Sequence, residues 1–276
     1  MEGRNRGRVP AVKLLCLLVA VCGVLVADEA KLDGHKVYYE ASGKGSPALV
    51  MVHGWTCDLT FFAPQVAELS KTYRVLAIDL PGHGKSDKPE ITYDGKLFAR
   101  AVLAAMDAAK IDKAVLIGHS MGLPVIRNVY AEAPARVVGL ISIDGAVFTG
   151  TMGDFPESMR GAEGMNVRRK MVGTMFVAST PEALRKEIEA KMLVAPDYVA
   201  VSAMRDGVPS PLWKEPVGVP ALAIQQKRNN STTVRKHFED AFTQLDYREM
   251  ENVGHFLHLE KPAEVNRMIL DWVKGK

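Results

Sequence analysis

Ser120 is the residue of this chain best placed to act as a nucleophile. It is the centre of Gly118-His119-Ser120-Met121-Gly122. The apolar run Ala114–Ile117 before it reads as a buried strand, and Leu123–Ala133 after it as a helix. A G-x-S-x-G between a strand and a helix folds as a nucleophile elbow, a turn so tight that the serine backbone is strained and its neighbours two residues away must be small. The hydroxyl then projects above the sheet at a helix N-terminus, where backbone N–H groups and the dipole favour developing negative charge. The plainer alternative is a glycine-rich connection with no chemistry. A hydroxyl nucleophile also needs a base, and the base an orienting partner, so the elements able to supply them come next.

Lys36–Ser42 reads as a first strand, ending at the turn Gly43-Lys44-Gly45. Ala48–Val52 and Val75–Ile78 are continuous apolar runs of buried-strand type. Helical spacing covers Phe61–Ser70 and the alanine-rich stretch Tyr93–Lys110. Val137–Ile143 is a further buried strand, Pro220–Ile224 resumes the sheet, Leu245–Met250 reads as its last strand and Pro262–Val273 as a closing helix. Strands alternating with helices predict an α/β fold, with a mostly parallel sheet covered on both faces. Between Asp144-Gly145 and Pro216 the pattern becomes helical and methionine-rich. Thr180 is expected as an N-cap with Pro181 at the first position of a helix running to Val194, and Asp197–Arg205 as another helix. Met152, Met159, Met165, Met171, Met175, Met192 and Met204 are spread through this stretch. They serve equally as adaptable liners of an apolar pocket or as packing onto the main domain.

His53-Gly54-Trp55 after one strand, Asp79-Leu80-Pro81-Gly82-His83-Gly84-Lys85-Ser86 after the next, and the elbow after the third together resemble the α/β-hydrolase family. The resemblance runs from about Leu32 to the C-terminus and implies a largely eight-stranded sheet. It implies a core over residues 28–145 and 217–276, with a helical cap, or lid, over 146–216. It also implies roles. The backbone N–H groups of Trp55 and Met121 would form an oxyanion hole, and Trp55 would also wall the acyl pocket or simply belong to the core. His255, in the Gly254-His255 pair after the last strand, would be the catalytic base, with His258 a packing or capping residue. Asp79 and His83 would belong to a structural turn rather than to the chemistry.

The third member of a triad usually follows the penultimate strand in this family. Here that loop is Gln225-Gln226-Lys227-Arg228-Asn229-Asn230, which contains no carboxylate and places Asn229 where an aspartate is expected. An asparagine can orient an imidazole but cannot offset imidazolium charge, and the comparable change in a serine protease lowers the rate about 10⁴-fold. The loop's two cations would oppose an imidazolium. Some members, notably the haloalkane dehalogenases, carry the acid one strand earlier, which here is Asp144. A dehalogenase is not implied, because those enzymes attack with aspartate at the elbow. Asp144 is the expected acid, and a degenerate triad leaning on Asn229 is the alternative.

Composition bounds the rest. The chain has 276 residues, 47% hydrophobic and 24% charged, enough for one large domain. Arg4, Arg6, Arg8 and Lys13 precede an apolar run from Leu14 to Ala27, so residues 1–27 read as a secretory signal. Leu25 is a poor residue three before a cleavage site, which keeps an uncleaved N-terminal anchor as the alternative, and neither Cys16 nor Cys22 has a lipoprotein-type neighbour. Beyond residue 27 the chain carries 31 basic and 31 acidic residues and one cysteine, Cys57. A neutral domain without a basic, aromatic-interleaved block argues against nucleic acid, and one cysteine excludes an internal disulfide framework or a cysteine-rich metal site. The expectation is a secreted or periplasmic serine hydrolase of a small apolar carboxylic ester, needing no cofactor or metal, with no stable membrane association once the leader is removed. Lactone, thioester and C–C bond hydrolysis share the same parts. The reading from a different class is a binding or signalling protein with a vestigial site.

Overall fold

The structure, a computed structural model, describes residues 26–276. The leader expected over 1–27 lies, apart from its last two residues, outside them. Eight strands form one sheet: β1 (Val26–Leu32), β2 (His35–Ser42), β3 (Ala48–Val52), β4 (Val75–Ile78), β5 (Ala114–His119), β6 (Val137–Ile143), β7 (Ala221–Gln226) and β8 (Leu245–Met250). Their order across the sheet is β1-β2-β4-β3-β5-β6-β7-β8. The pairings β1–β2 and β2–β4 are antiparallel, and every pairing from β4–β3 to β8 is parallel. Parallel strands need long crossovers, and these are the helices α1 (Ala63–Leu69), α2 (Gly95–Ala108), α3 (Gly122–Glu132) and α7 (Ser231–Ala241), with α8 (Leu257–Glu260) and α9 (Pro262–Val273) closing the chain.

The central strands are apolar on both faces because both are covered. Val50, Val52, Leu76, Ile78 and Leu116 pack with Phe98, Val102 and Met106 of α2, Val125 and Val129 of α3 and Phe238 of α7. The alternating residues Leu49, Met51, Val75, Val115 and Ile117 pack on the other face with Leu69 of α1 and Val265, Ile269 and Trp272 of α9. This alternation fixes register, since a slip of one residue would exchange the two faces. Asp94 caps α2, its carboxylate accepting the Leu97 N–H at 2.8 Å.

Between β6 and β7 lie α4 (Gly161–Gly173), α5 (Glu182–Met192) and α6 (Asp197–Ser202), the last running into a wider turn over Ala203–Gly207. The segment is bound to the loops above the sheet: the Trp55 indole donates to the Ala200 carbonyl at 2.7 Å, and the His255 N–H to that of Met175 at 2.8 Å. Among the described residues no helix is long and apolar enough to cross a membrane.

Four elements depart from the sequence reading. Strand β1 precedes the expected first strand and pairs with β2 along its whole length. Helices α4 and α7 are not among the expected elements: Asn230 stands at the N-cap of α7 without a side-chain cap bond, and α4 contains Gly164, where a Cβ would come within 2.1 Å of the Met159 carbonyl carbon, so packing and not propensity selects that residue. Thr180 is not the N-cap of α5. Pro181 occupies that position, and the Thr180 hydroxyl instead accepts the Val177 N–H at 3.1 Å, closing the preceding turn.

Candidate active site

The carboxyl ends of the parallel strands present one chemically equipped edge. Ser120 has φ +53°, the left-handed region that strains a non-glycine residue. The elbow's sequence follows from its packing: a Cβ on Gly118 would meet the Gly122 carbonyl carbon at 2.4 Å, and one on Gly122 the Val52 carbonyl oxygen at 2.2 Å. The turn is held by the Ser120 N–H donating to Ile143 O at 3.0 Å and the Leu123 N–H to Ser120 O at 3.0 Å. Asp144 is also left-handed, with φ +44°, and its N–H extends the β6–β7 ladder to Ile224 O at 2.8 Å. Ser120 and Asp144 therefore leave neighbouring strands at adjacent levels.

His255 follows β8, and its Nδ1 lies 2.6 Å from Asp144 Oδ2. That bond makes Nδ1 the donor and leaves Nε2 as the basic nitrogen. The histidine loop is fastened from both sides. Its backbone N–H is held by Met175, and its carbonyl accepts from Nε2 of buried His119 at 3.0 Å. The Asp144 side chain is fully buried and saturated with donors. Oδ2 accepts from His255, from Gln226 Nε2 at 2.9 Å and from Arg228 at 2.5 Å, and Oδ1 accepts the Gln226 N–H at 3.0 Å. Burial pushes the carboxyl pKa up, but the hydrogen bonds and charges of His255, Arg228 and Gln226 outweigh it, and the net shift is downward. Asp144 is held as a carboxylate.

The two positions expected to supply oxyanion donors also lie at this edge. Trp55 follows β3 and Met121 opens α3. Among the described residues neither backbone N–H has an acceptor. Trp55, Ser120, Met121, Asp144 and His255 line one cavity of about 350 Å³ together with Pro124, Met171, Met175, Met204, Val208, Val234, Arg228 and Asn230. Met171 and Met175 line the cavity, Met204 lines it while belonging to the core, and Met159 and Met192 are buried in the core away from it.

Other polar groups singled out in the sequence do different work. The Asp79 carboxylate accepts from the Leu59 and Lys85 N–H groups, both at 2.7 Å, and ties down its turn. His83 is buried with Nδ1 on the Pro81 carbonyl, and burial lowers its pKa to about 3. His258 is buried among the rings of Phe62, Phe256 and His119. Asn229 is exposed and does not reach the imidazole. Sequence reasoning missed Gln226 and Arg228 as partners of the acid. Their signal is the strand period carried past Ile224, which turns residues 226 and 228 to one side and exposed Lys227 and Asn229 to the other.

With this geometry in view, comparison with known proteins places the chain. Residues 49–268 match the model of the alpha/beta hydrolase family. A dihydrolipoyllysine-residue acetyltransferase component of an acetoin cleaving system from Pseudomonas putida is 42% identical over 120 residues. That match covers 43% of this chain and 32% of the relative. The next two curated relatives are matched over 30% and 41% of their lengths, so the chain spans well under two thirds of each. Among solved structures, an enol-lactonase from Burkholderia xenovorans superposes with a TM-score of 0.81 at 24% identity, covering 90% of this chain and 100% of that one. A thermophilic esterase from Thermogutta terrifontis gives 0.81 at 20% identity, covering 91% and 98%. These structural likenesses establish the fold.

Proposed function

The chain belongs to the alpha/beta hydrolase family, and from that premise we propose that it is a serine hydrolase cleaving a carboxylic ester, open-chain or lactone, through an acyl-enzyme. Ser120 attacks the acyl carbon while His255 Nε2 takes its proton. Asp144 fixes the imidazole tautomer and offsets the charge it acquires. The tetrahedral oxyanion is held by the N–H groups of Trp55 and Met121, two donors without competing protein acceptors. Such donors are worth about 3–4 kcal/mol each when one is removed. His255 then returns the proton to the leaving alcohol, and water, activated by the same base, releases the acid. The apolar wall of methionine, valine and proline side chains suits an apolar substrate.

The observation that carries this reading is the 2.6 Å bond from His255 Nδ1 to a fully buried Asp144 carboxylate, at the mouth of a cavity that also holds Ser120. It supports a working site over a vestigial one, whose case rested on Asn229. The direct test is labelling with a fluorophosphonate together with burst kinetics on p-nitrophenyl butyrate. Wild type should label and turn over, and Ser120→Ala should do neither while keeping its fold, since the strain of the elbow is carried by backbone and glycines. Labelling that persists in the variant would show that the serine is not the nucleophile.

A further inference from the structure

Arg228 helps to hold Asp144 as a carboxylate, and that contact uses only one nitrogen of its guanidinium. An arginine carries a permanent charge and five N–H donors, and one hydrogen bond to a carboxylate oxygen leaves most of those donors unused. Its side chain is about two-thirds withdrawn from solvent, 35% of it being exposed. Its one hydrogen-bond acceptor among the described residues is Asp144 Oδ2, reached through Nη2. That contact anchors one nitrogen of the guanidinium and leaves its other N–H groups with no acceptor among the described residues. Arg228 lines the same cavity as Ser120 and His255, where among the described residues it is the one permanent cation. Apart from Asn230, Ser120 and the Asp144–His255 pair, the wall is apolar.

We propose that the substrate is an acidic ester, bearing a carboxylate on its acyl or alcohol portion, and that Arg228 receives that carboxylate. This rests on the hydrolase reading of the same site and names its substrate class. A guanidinium offers a planar, forked set of donors that matches a carboxylate in two-point contact. The Asp144 contact does not satisfy it in catalysis. Asp144 Oδ2 accepts from Arg228 and His255 together, so when His255 becomes an imidazolium one carboxylate stands against two cations. An anionic substrate supplies the missing charge there and is anchored at one end, while the apolar wall receives the chain between anchor and scissile carbonyl. The chemistry of the step is unchanged: the ester C–O bond breaks, the alcohol leaves with the proton from His255, and the carboxylate on Arg228 is a spectator.

The test compares pairs of substrates matched for length. Mono-p-nitrophenyl adipate and p-nitrophenyl hexanoate place a carboxylate or a methyl at the same distance on the acyl side, and 3-carboxyphenyl acetate and 3-methylphenyl acetate do so on the alcohol side. In one of the two pairs the acidic ester should have kcat/KM about 10- to 100-fold above its neutral partner, the worth of one charge-assisted hydrogen bond. The preference should shrink with added salt. Arg228 also touches Asp144, so the readout in its variants is the ratio within a pair and not the absolute rate. Arg228→Lys should keep part of the preference and Arg228→Gln should abolish it. Neutral esters turned over as well as or better than acidic ones in both pairs, or a preference that survives Arg228→Gln, would overturn the proposal and leave the serine hydrolase intact. Inertness toward all four esters and toward the fluorophosphonate would overturn both.

Discussion

Asp144→Asn tests the site where its geometry is most demanding. Each carboxylate oxygen of Asp144 receives donors: His255, Gln226 Nε2 and Arg228 on Oδ2, and the Gln226 backbone N–H on Oδ1. An asparagine has one acceptor and one donor end. With its amide nitrogen at the Oδ1 position, two N–H groups oppose each other across 3.0 Å; with the nitrogen at Oδ2, three donors face a donor. Neither rotamer is satisfied. The loss of imidazolium stabilisation alone is worth about 10⁴ in kcat by analogy with a serine protease triad. Breaking a buried ion pair costs about 3–5 kcal/mol of stability, with the lower end expected here because a third of Arg228 remains exposed to water. The sign of the pH dependence follows from the lowered pKa of Asp144. Its stabilisation is present above the ordinary carboxylate pKa of about 3.9 and is lost as pH falls through the lower folded value, so the variant is destabilised at neutral pH, where wild type has the full contribution. The assay is kcat for p-nitrophenyl butyrate together with urea unfolding at pH 7. Asn229→Ala is the control, and being exposed it should change the rate by no more than about twofold. A kcat for Asp144→Asn within about tenfold of wild type would refute the assignment of Asp144 as the acid.

Three further outcomes are expected. Gly122→Ala should yield little folded protein and no labelling, because its Cβ would lie 2.2 Å from the Val52 carbonyl oxygen at the base of the elbow; solubility and fluorophosphonate labelling check it. His258 has a pKa lowered by burial to about 3, so between the unfolded value of about 6.5 and that value the unfolded chain binds a proton that the folded chain refuses, and stability falls as pH falls. Thermal melts of His258→Leu between pH 7 and 5 should show a shallower decline than wild type, though not a flat one, since His83 contributes in the same direction. Expressed in full in a bacterium with export machinery, the protein should appear outside the cytoplasm shortened by about 27 to 30 residues; N-terminal sequencing of a soluble, intact cytoplasmic form would end the signal-peptide reading.

What was legible in the sequence is what chemistry or sterics forces into a fixed local pattern. The glycines at 118 and 122 are demanded by atoms two or three ångströms away, and the apolar runs of β3 to β6 by burial on both faces. Asp144 could be selected because the rival loop holds no carboxylate. The partners of Asp144 were not legible in the same way. The loop's two cations seemed only to oppose an imidazolium; which of them turns inward depends on where the β7 ladder stops, and Arg228 turns onto the acid while Lys227 pairs with Glu251 on the surface. Helix α4 was hidden because its Gly161, Gly164 and Gly173 lower helix propensity, and tertiary packing overrides that preference. Strand β1 was hidden because Val26–Leu32 is a short, charge-bearing edge strand whose first residues continue the apolar run of the leader.

The helical segment between β6 and β7 has a part in the site beyond covering it. The loop carrying Trp55 and the loop carrying His255 come from opposite sides of the elbow, and each has one hydrogen bond that only this segment satisfies. The Trp55 indole N–H is buried and would be orphaned without Ala200 O, and the His255 backbone N–H without Met175 O. A third contact, from the Ser179 hydroxyl to Asn252 O at 3.2 Å, fastens the start of the histidine loop. Gly254 is required by the same closeness, because a Cβ there would stand 2.7 Å from Met175 O. A buried donor left without a partner costs about 1–3 kcal/mol, so displacing the segment and keeping both loops in place would cost more than one such penalty. The lower-energy course is for the loops to move with it. Met171, Met175 and Met204, which line the cavity, belong to the same piece of chain that holds the loops of His255 and Trp55, so a ligand filling the cavity would order the proposed catalytic groups in the same event.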